Sequence, residues 1–272
     1  MKKGMALLLA ICLLVTGITT AFAKDYSSEI DSVLSDYSSE NRRASSAPQQ
    51  KVNGSYRTVE LLEIIAKILD TDGTYGKEIS SVMSSYSSGN RRASSAPQQV
   101  VNGTYRTVEL LEIIAKILDA DGAYSKEISS VMSSYSSGNR RASSAEQQQV
   151  NGTYRTVELL EIIAKILDTD GTYSKEISSV MSSYSSGNRR ASSAPQQIVN
   201  GTYRTVELLE IIANILDADK DYSSRISSIM SNYSSGNRSA SSAVQQAVNG
   251  MYRTVELLAV IAEVLNNRSI SL

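Results

Sequence analysis

Residues 59–70 read VELLEIIAKILD. At about 100° per residue, Glu60, Glu63, Lys67 and Asp70 fall on a stripe about 80° wide, and Val59, Leu61, Leu62, Ile64, Ile65, Ala66, Ile68 and Leu69 cover the rest. A helix apolar over so much of its circumference has to be covered on at least two sides. A partner helix in the same unit covers one side, and the equivalent helix of a neighbouring unit covers the other. Thr58 suits an N-cap and Glu60 the favourable first turn, so the spacing predicts a helix over 59–70.

The neighbouring units are in the sequence. Asn41, Asn90, Asn139, Asn188 and Asn237 open matching segments spaced by 49 residues, and Tyr26, Tyr75, Tyr124, Tyr173 and Tyr222 keep the same step. A period in the range of about 20–50 residues marks solenoids and arrays. The units are 25–73, 74–122, 123–171, 172–220 and 221–269, with 270–272 as a tail. The expected fold is all-α, five helical hairpins stacked as a solenoid or an elongated bundle.

The first and last units deviate in the manner of solvent-facing caps. Asp31, Asp36, Glu40 and Lys51 depart from the inner copies in the first unit, and Ala259 and Glu263 in the last.

Each unit also carries an amphipathic segment such as 26–37, where Tyr26, Ile30, Val33, Leu34 and Tyr37 share one face and the remainder is serine and charge. That pattern describes an outer helix, wet on its back. Between the two helices, Ser94-Ser95-Ala96-Pro97 suits a short helix with proline at its start. Val101-Asn102-Gly103-Thr104 then reads as a turn. The alternative is α+β, with "QQVV" and "TYRTV" forming a small hairpin around Asn-Gly in each unit.

The chain opens with Lys2 and Lys3, an apolar run over 5–15 and Ala21-Phe22-Ala23 before Lys24, the pattern of a secretory signal peptide over 1–23 cleaved after Ala23. The run is too short to span a bilayer, which takes about 20 helical residues. The expectation is a periplasmic or secreted protein with no membrane span after processing. Cys12, the single cysteine, lies within the leader, so the processed chain has no disulfide or thiolate metal site. Without Lys2 and Lys3 there are 25 basic and 28 acidic residues, and no global charge points to nucleic acid.

Histidine is absent, which removes Ser-His and Cys-His nucleophiles, and every remaining candidate group recurs in each unit whereas active sites are single and asymmetric. The chain is read as a non-catalytic binding or structural scaffold. Arg91-Arg92-Ala93-Ser94 resembles a basophilic kinase site or a dibasic processing site of a precursor, but in an exported repeat it reads as a connector. The sequons at Asn53, Asn102, Asn151, Asn200, Asn232, Asn237 and Asn267 are accounted for by turns or chance.

Two candidate sites follow from the repetition. Arg91, Arg92, Arg140, Arg141, Arg189 and Arg190, near Tyr86, Tyr135 and Tyr184, form a row suited to an anionic envelope polymer; another protein, or the chain itself, is the alternative partner. Asp70 and Asp72, with Asp119, Asp121, Asp168 and Asp170, sit between helices and suggest a calcium loop. The helix-loop-helix frame then puts isoleucine at the first and last ligand positions, Ile68 and Ile79, and no other cofactor is implied. Gly73 is read as a left-handed helix cap.

Overall fold

The computed structural model describes residues 24–270. The leader predicted over 1–23, its Cys12, and Ser271 and Leu272 lie outside the described residues. Within them are ten helices and no strand. The units pair α1 (Ser27–Arg43) with α2 (Ala47–Leu69), α3 (Gly76–Arg92) with α4 (Ala96–Leu118), and α5 (Ser125–Arg141) with α6 (Ala145–Leu167). They continue with α7 (Ser174–Arg190) and α8 (Ala194–Leu216), then α9 (Ser223–Ser239) and α10 (Ala243–Ile270).

The even-numbered helices form an inner layer in which α2 packs on α4, α4 on α6, α6 on α8, α8 on α10, and α10 back on α2. The repeats therefore close into a ring. Each odd helix lies outside, against the inner helix of its own unit and that of the preceding one, and α1 uses α10 in that second role. The first and last units are consequently not caps. The surfaces a solenoid would leave at its ends are buried against each other, and the expectation of cap-like end units is corrected.

Closure follows from how neighbouring inner helices touch. A Cβ on Gly103 would lie 2.7 Å from Ser55 Cβ, and one on Gly152 would lie 2.3 Å from Thr104 Cγ2. Each glycine thus meets the residue after the equivalent glycine in the preceding unit, so the inner helices run parallel and in register. Consecutive positions differ by about 100° on the helix, close to the angle of about 108° that a regular pentagon places between neighbours. A packing surface with that angle returns to its start after five units.

Between the two contact directions Thr58, Leu62 and Ile65 point at the axis. Leu62, Leu111, Leu160, Leu209 and Leu258 are 2–3% exposed, and the isoleucines of the Ile65 layer 3–4%, so the axis is packed at these layers. Nearer one mouth the same phase carries Lys51, Val100, Gln149, Ile198 and Ala247, a position that differs in all five units. Unlike the Leu62 and Ile65 layers, this one is not made of five copies of a single side chain.

The Asn-Gly pairs are neither turns nor hairpins. Asn102 and Gly103 lie inside α4, so the predicted short helix is the first turns of a 23-residue one, and Thr58 is interior rather than an N-cap. The real N-cap position is Ser95, with Pro97 in the first turn and the Gln98 side chain accepting from Ser94 N at 2.8 Å. Tertiary contact overrides the local turn preference: Asn102 Nδ2 donates to the Tyr86 carbonyl at 3.0 Å and to Asn90 Oδ1 at 2.9 Å, while Gly103 permits the close approach of α2. The outer helix is also longer than 26–37, running from Ser27 to Arg43.

Candidate functional site

All outer helices end, and all inner helices begin, at the same end of the ring. Ring closure therefore gathers the Asn-Arg-Arg segments onto one rim. Arg91 and Arg92 are the last two residues of α3, and Arg42, Arg43, Arg140, Arg141, Arg189, Arg190 and Arg238 hold the equivalent places. Cations there complement the negative ends of the outer-helix dipoles. All nine are exposed, and none forms an ion pair with a described residue.

The rim is basic within a chain of slightly acidic net charge. The segments 40–51, 89–100, 138–149, 187–198 and 236–247 hold ten basic residues and two acidic ones, Glu40 and Glu146. The rest of the chain from Lys24 holds fifteen basic and twenty-six acidic residues. Glu40 is committed to Arg57, whose Nη2 lies 2.6 Å from Glu40 Oε1. Lys51 at the mouth is pushed down by burial, against the opposing pull of Glu146 two units away.

The tyrosines predicted beside the arginines are not on this rim. Tyr86, Tyr135 and Tyr184 are buried at 2–3% exposure, and each ring packs on a tyrosine of the preceding unit's inner helix. The centroid separations are 5.5 Å for Tyr56–Tyr86, 5.1 Å for Tyr105–Tyr135 and 5.2 Å for Tyr154–Tyr184. Burial pushes their phenols well above the usual tyrosine range. The expected arginine–tyrosine clamp separates into an exposed cation ring and a buried seam between units.

That seam holds residues the sequence reading passed over. Arg106 lies over the Tyr105 ring at 4.7 Å and pairs with Glu109, and Arg155, Arg204 and Arg253 repeat the arrangement. Burial raises the Glu109 carboxyl, and Arg106 opposes the rise. The available signal was phase: Tyr56 and Gln49 extend the Glu60–Glu63–Lys67 stripe upstream of Val59, across the proposed turn.

In four units the arginine Nε is buried without a partner, at Arg106, Arg155, Arg204 and Arg253. In the first unit Glu40 Oε2 accepts from Arg57 Nε at 3.2 Å. The other units have glycine at the Glu40 position, and a Cβ on Gly89 would lie 2.4 Å from Asn102 Oδ1. Where Glu40 stands, the Asn53–Asn41 hydrogen bond lengthens to 3.4 Å, against 2.9 Å for Asn102–Asn90. The first unit exchanges a tight asparagine pair for a satisfied arginine.

The opposite rim carries the Asp-x-Asp-Gly connections. Asp70 Oδ1 accepts from Tyr75 N at 3.0 Å, and Asp119 accepts from Tyr124 N at 2.9 Å and from Ser125 Oγ at 3.1 Å. Asp168 does the same for Tyr173 N and Ser174 Oγ. Asp72 and Asp170 accept from Thr74 N and Thr172 N, and these bonds hold both carboxyls below the usual range. Asp121 accepts from Ala123 N. The aspartates that look misplaced at a helix C-terminus bind the first amides of the following helix. Gly73 takes φ +72°, with Lys220 at 62° in its place in the fourth unit, but it stands beyond the C-cap Asp70, inside the connection. Among the described residues no group of three or more acidic, histidine or cysteine side chains is placed to hold a metal.

Outside the ring, the outer helices leave grooves floored by inner-helix side chains. Between α1 and α9 a cavity of about 280 Å³ is lined by Leu34, Tyr37, Ile229, Tyr252 and Glu256, with Arg225 at its edge. Among the described residues no helix is long and apolar enough to cross a membrane. No protein-family model, no curated protein and no solved structure matches this chain, and the arginine rim is read from its own geometry.

Proposed function

We propose that this chain is an exported, non-catalytic scaffold that works in the cell envelope or outside the cell and binds an anionic partner through its arginine rim. The observation that carries the reading is the set of nine exposed arginines with no ion-pair partner among the described residues, gathered on one rim where basic residues outnumber acidic ones ten to two. Guanidinium groups bind phosphate and carboxylate oxygens in bidentate fashion, and a cluster of them raises the local concentration of a polyanion. The leader pattern over 1–23 supports export. A non-catalytic role is supported by the absence of histidine and by the engagement of the repeated carboxylates in helix caps and ion pairs. End-to-end self-assembly loses support, because the end units are covered by each other.

Retention on immobilised polyphosphate, eluted with rising salt, tests the binding. Arg140→Gln with Arg141→Gln is expected to elute at clearly lower salt than the parent chain, and identical elution overturns the reading. Export is tested by sequencing the N-terminus of the protein recovered from its source. A chain beginning at Lys24 is expected, and one that retains Met1 overturns it.

A further inference from the structure

The ring shape says more about the partner than the charge does. Had the units stacked in a line, the arginines would have formed a ladder for a linear polymer. Parallel, in-register inner helices, each joined to its outer helix by the same Ala-Ser-Ser connection, instead place every arginine pair at one level around a closed circuit. A filament can touch only a short arc of such a circuit. A plane touches all of it.

Three further observations fit a planar anionic surface. Acidic residues are concentrated away from this rim, which orients the ring in a surface field with the arginines inward. Apolar side chains stand among the arginines at the second position of the inner helices: Pro48, Pro97 and Pro195 are exposed, as is Val244 at 38%. Arginine beside small apolar tips suits the headgroup level of a bilayer, where phosphates lie over the acyl boundary. The third unit departs from the pattern, with Glu146 at this position.

We propose that the arginine rim docks face-on to a bilayer surface rich in anionic phospholipid headgroups, the guanidinium groups on the phosphates and the acidic rim toward water. This inference rests on the anion-binding reading above and names its partner. Docking is peripheral, by charge and shallow apolar contact, and requires no spanning helix.

The test uses residues 24–272, which contain every contact of the closed ring described above. Sedimentation is measured with vesicles of mixed phosphatidylglycerol and phosphatidylcholine, with vesicles of phosphatidylcholine alone, and with soluble polyphosphate as competitor. Binding to the mixed vesicles at low salt, loss at high salt and little binding to phosphatidylcholine are expected. A basic side chain near an anionic surface changes partitioning about fivefold, so Arg140→Gln with Arg141→Gln is expected to lower it about 25-fold, and Glu146→Pro to raise it about fivefold.

Lys126→Gln with Lys175→Gln, on the opposite rim, is expected to change partitioning less than twofold, and circular dichroism of every variant checks that the ring is intact. No binding to the mixed vesicles, or binding equally reduced by the lysine and arginine variants, overturns the docking. If polyphosphate is bound and vesicles are not, the rim still binds anions and only the membrane inference falls. If neither is bound, both readings fall.

Discussion

Asn266 Oδ1 accepts from the Tyr26 backbone amide at 2.9 Å across 240 residues of chain. This repeats between the two ends what Asp70 does for Tyr75, Asp119 for Tyr124, Asp168 for Tyr173 and Asp217 for Tyr222 within the chain. Asparagine at the seam adds a bond that aspartate could not make: Asn266 Nδ2 donates to Asp25 Oδ1 at 2.9 Å, where a carboxylate would be repelled. Asn266 and the amide of Ser27 hold the Asp25 carboxyl down at about 2.

Asn266→Ala should therefore loosen the seam ahead of the rest of the ring. Losing the partners of a buried amide costs about 1–3 kcal/mol. Hydrogen exchange is expected to quicken in the first turn of α1 and the last turns of α10, with α5 and α6 unchanged. Uniform quickening would show that closure is not held locally. Asn266→Asp is expected to be less stable than the parent at neutral pH and to recover part of the loss as acid neutralises the carboxylate pair.

A ring whose covalent and non-covalent joints are equivalent can be opened elsewhere. A permutant that joins the ends by a short flexible linker and begins at Thr74, within the α2–α3 connection, is expected to keep the parent's helical circular dichroism and melt within several degrees of it. Failure to fold would mean that the first joint, unlike the seam, has to be covalent.

The periodicity and the two amphipathic faces were legible because each is local: Leu62 and Ile65 against Glu63 and Lys67, and Ile30 and Tyr37 against the serines. The Asn-Gly pairs were misread because their preference for turns is also local, while the forces that hold them in a helix come from α2 and α3. Asn102 is bound by Tyr86 and Asn90, and Gly103 is required by Ser55 of another unit. Closure was invisible for the same reason. It depends on the angle between the directions of Gly54 and Ser55, and no residue near either end encodes that angle alone. The arginines were found and their tyrosine neighbours misassigned, because phase along the outer helix turns Tyr86 into the core while helix termination leaves Arg91 and Arg92 outside.

The close approach at the inner-helix glycines predicts an ordering of glycine variants. Alanine in a helix gains up to about 1 kcal/mol over glycine. At Gly152 the new methyl would meet Thr104 Cγ2 at 2.3 Å, and Thr104 is fixed by its hydroxyl donating to the Val100 carbonyl at 2.9 Å, so an overpacking cost of about 1–3 kcal/mol should outweigh the gain. At Gly54 the nearest contact is Met251 Cβ at 3.2 Å, and Gly54→Ala should be near neutral. Equal melting temperatures for the two variants would contradict the packing described.

The Asp-x-Asp-Gly connections are expected to act as caps. Asp168→Ala should cost about 1 kcal/mol by removing an acceptor from Tyr173 N and Ser174 Oγ. Neither added calcium nor a chelator should change the melting temperature of the parent chain. A rise with calcium that Asp168→Ala abolishes would show that the loops bind the ion.

Alkaline pH should unfold the ring through its buried phenols. Burial raises Tyr37, Tyr86, Tyr135, Tyr184 and Tyr233 above their usual value. A phenol ionises near pH 10 in the unfolded chain and only higher in the folded one, so its contribution is intact below about 10 and is lost as pH rises past it. Five such groups titrating together make the loss cooperative. Helical ellipticity is expected to collapse above about pH 10, in step with the late part of the tyrosinate absorbance, and Tyr135→Phe, with one fewer buried phenol, should move that midpoint upward relative to its own stability at neutral pH. Complete tyrosinate formation with the helices still intact would show that these rings reach water without opening the seams between units.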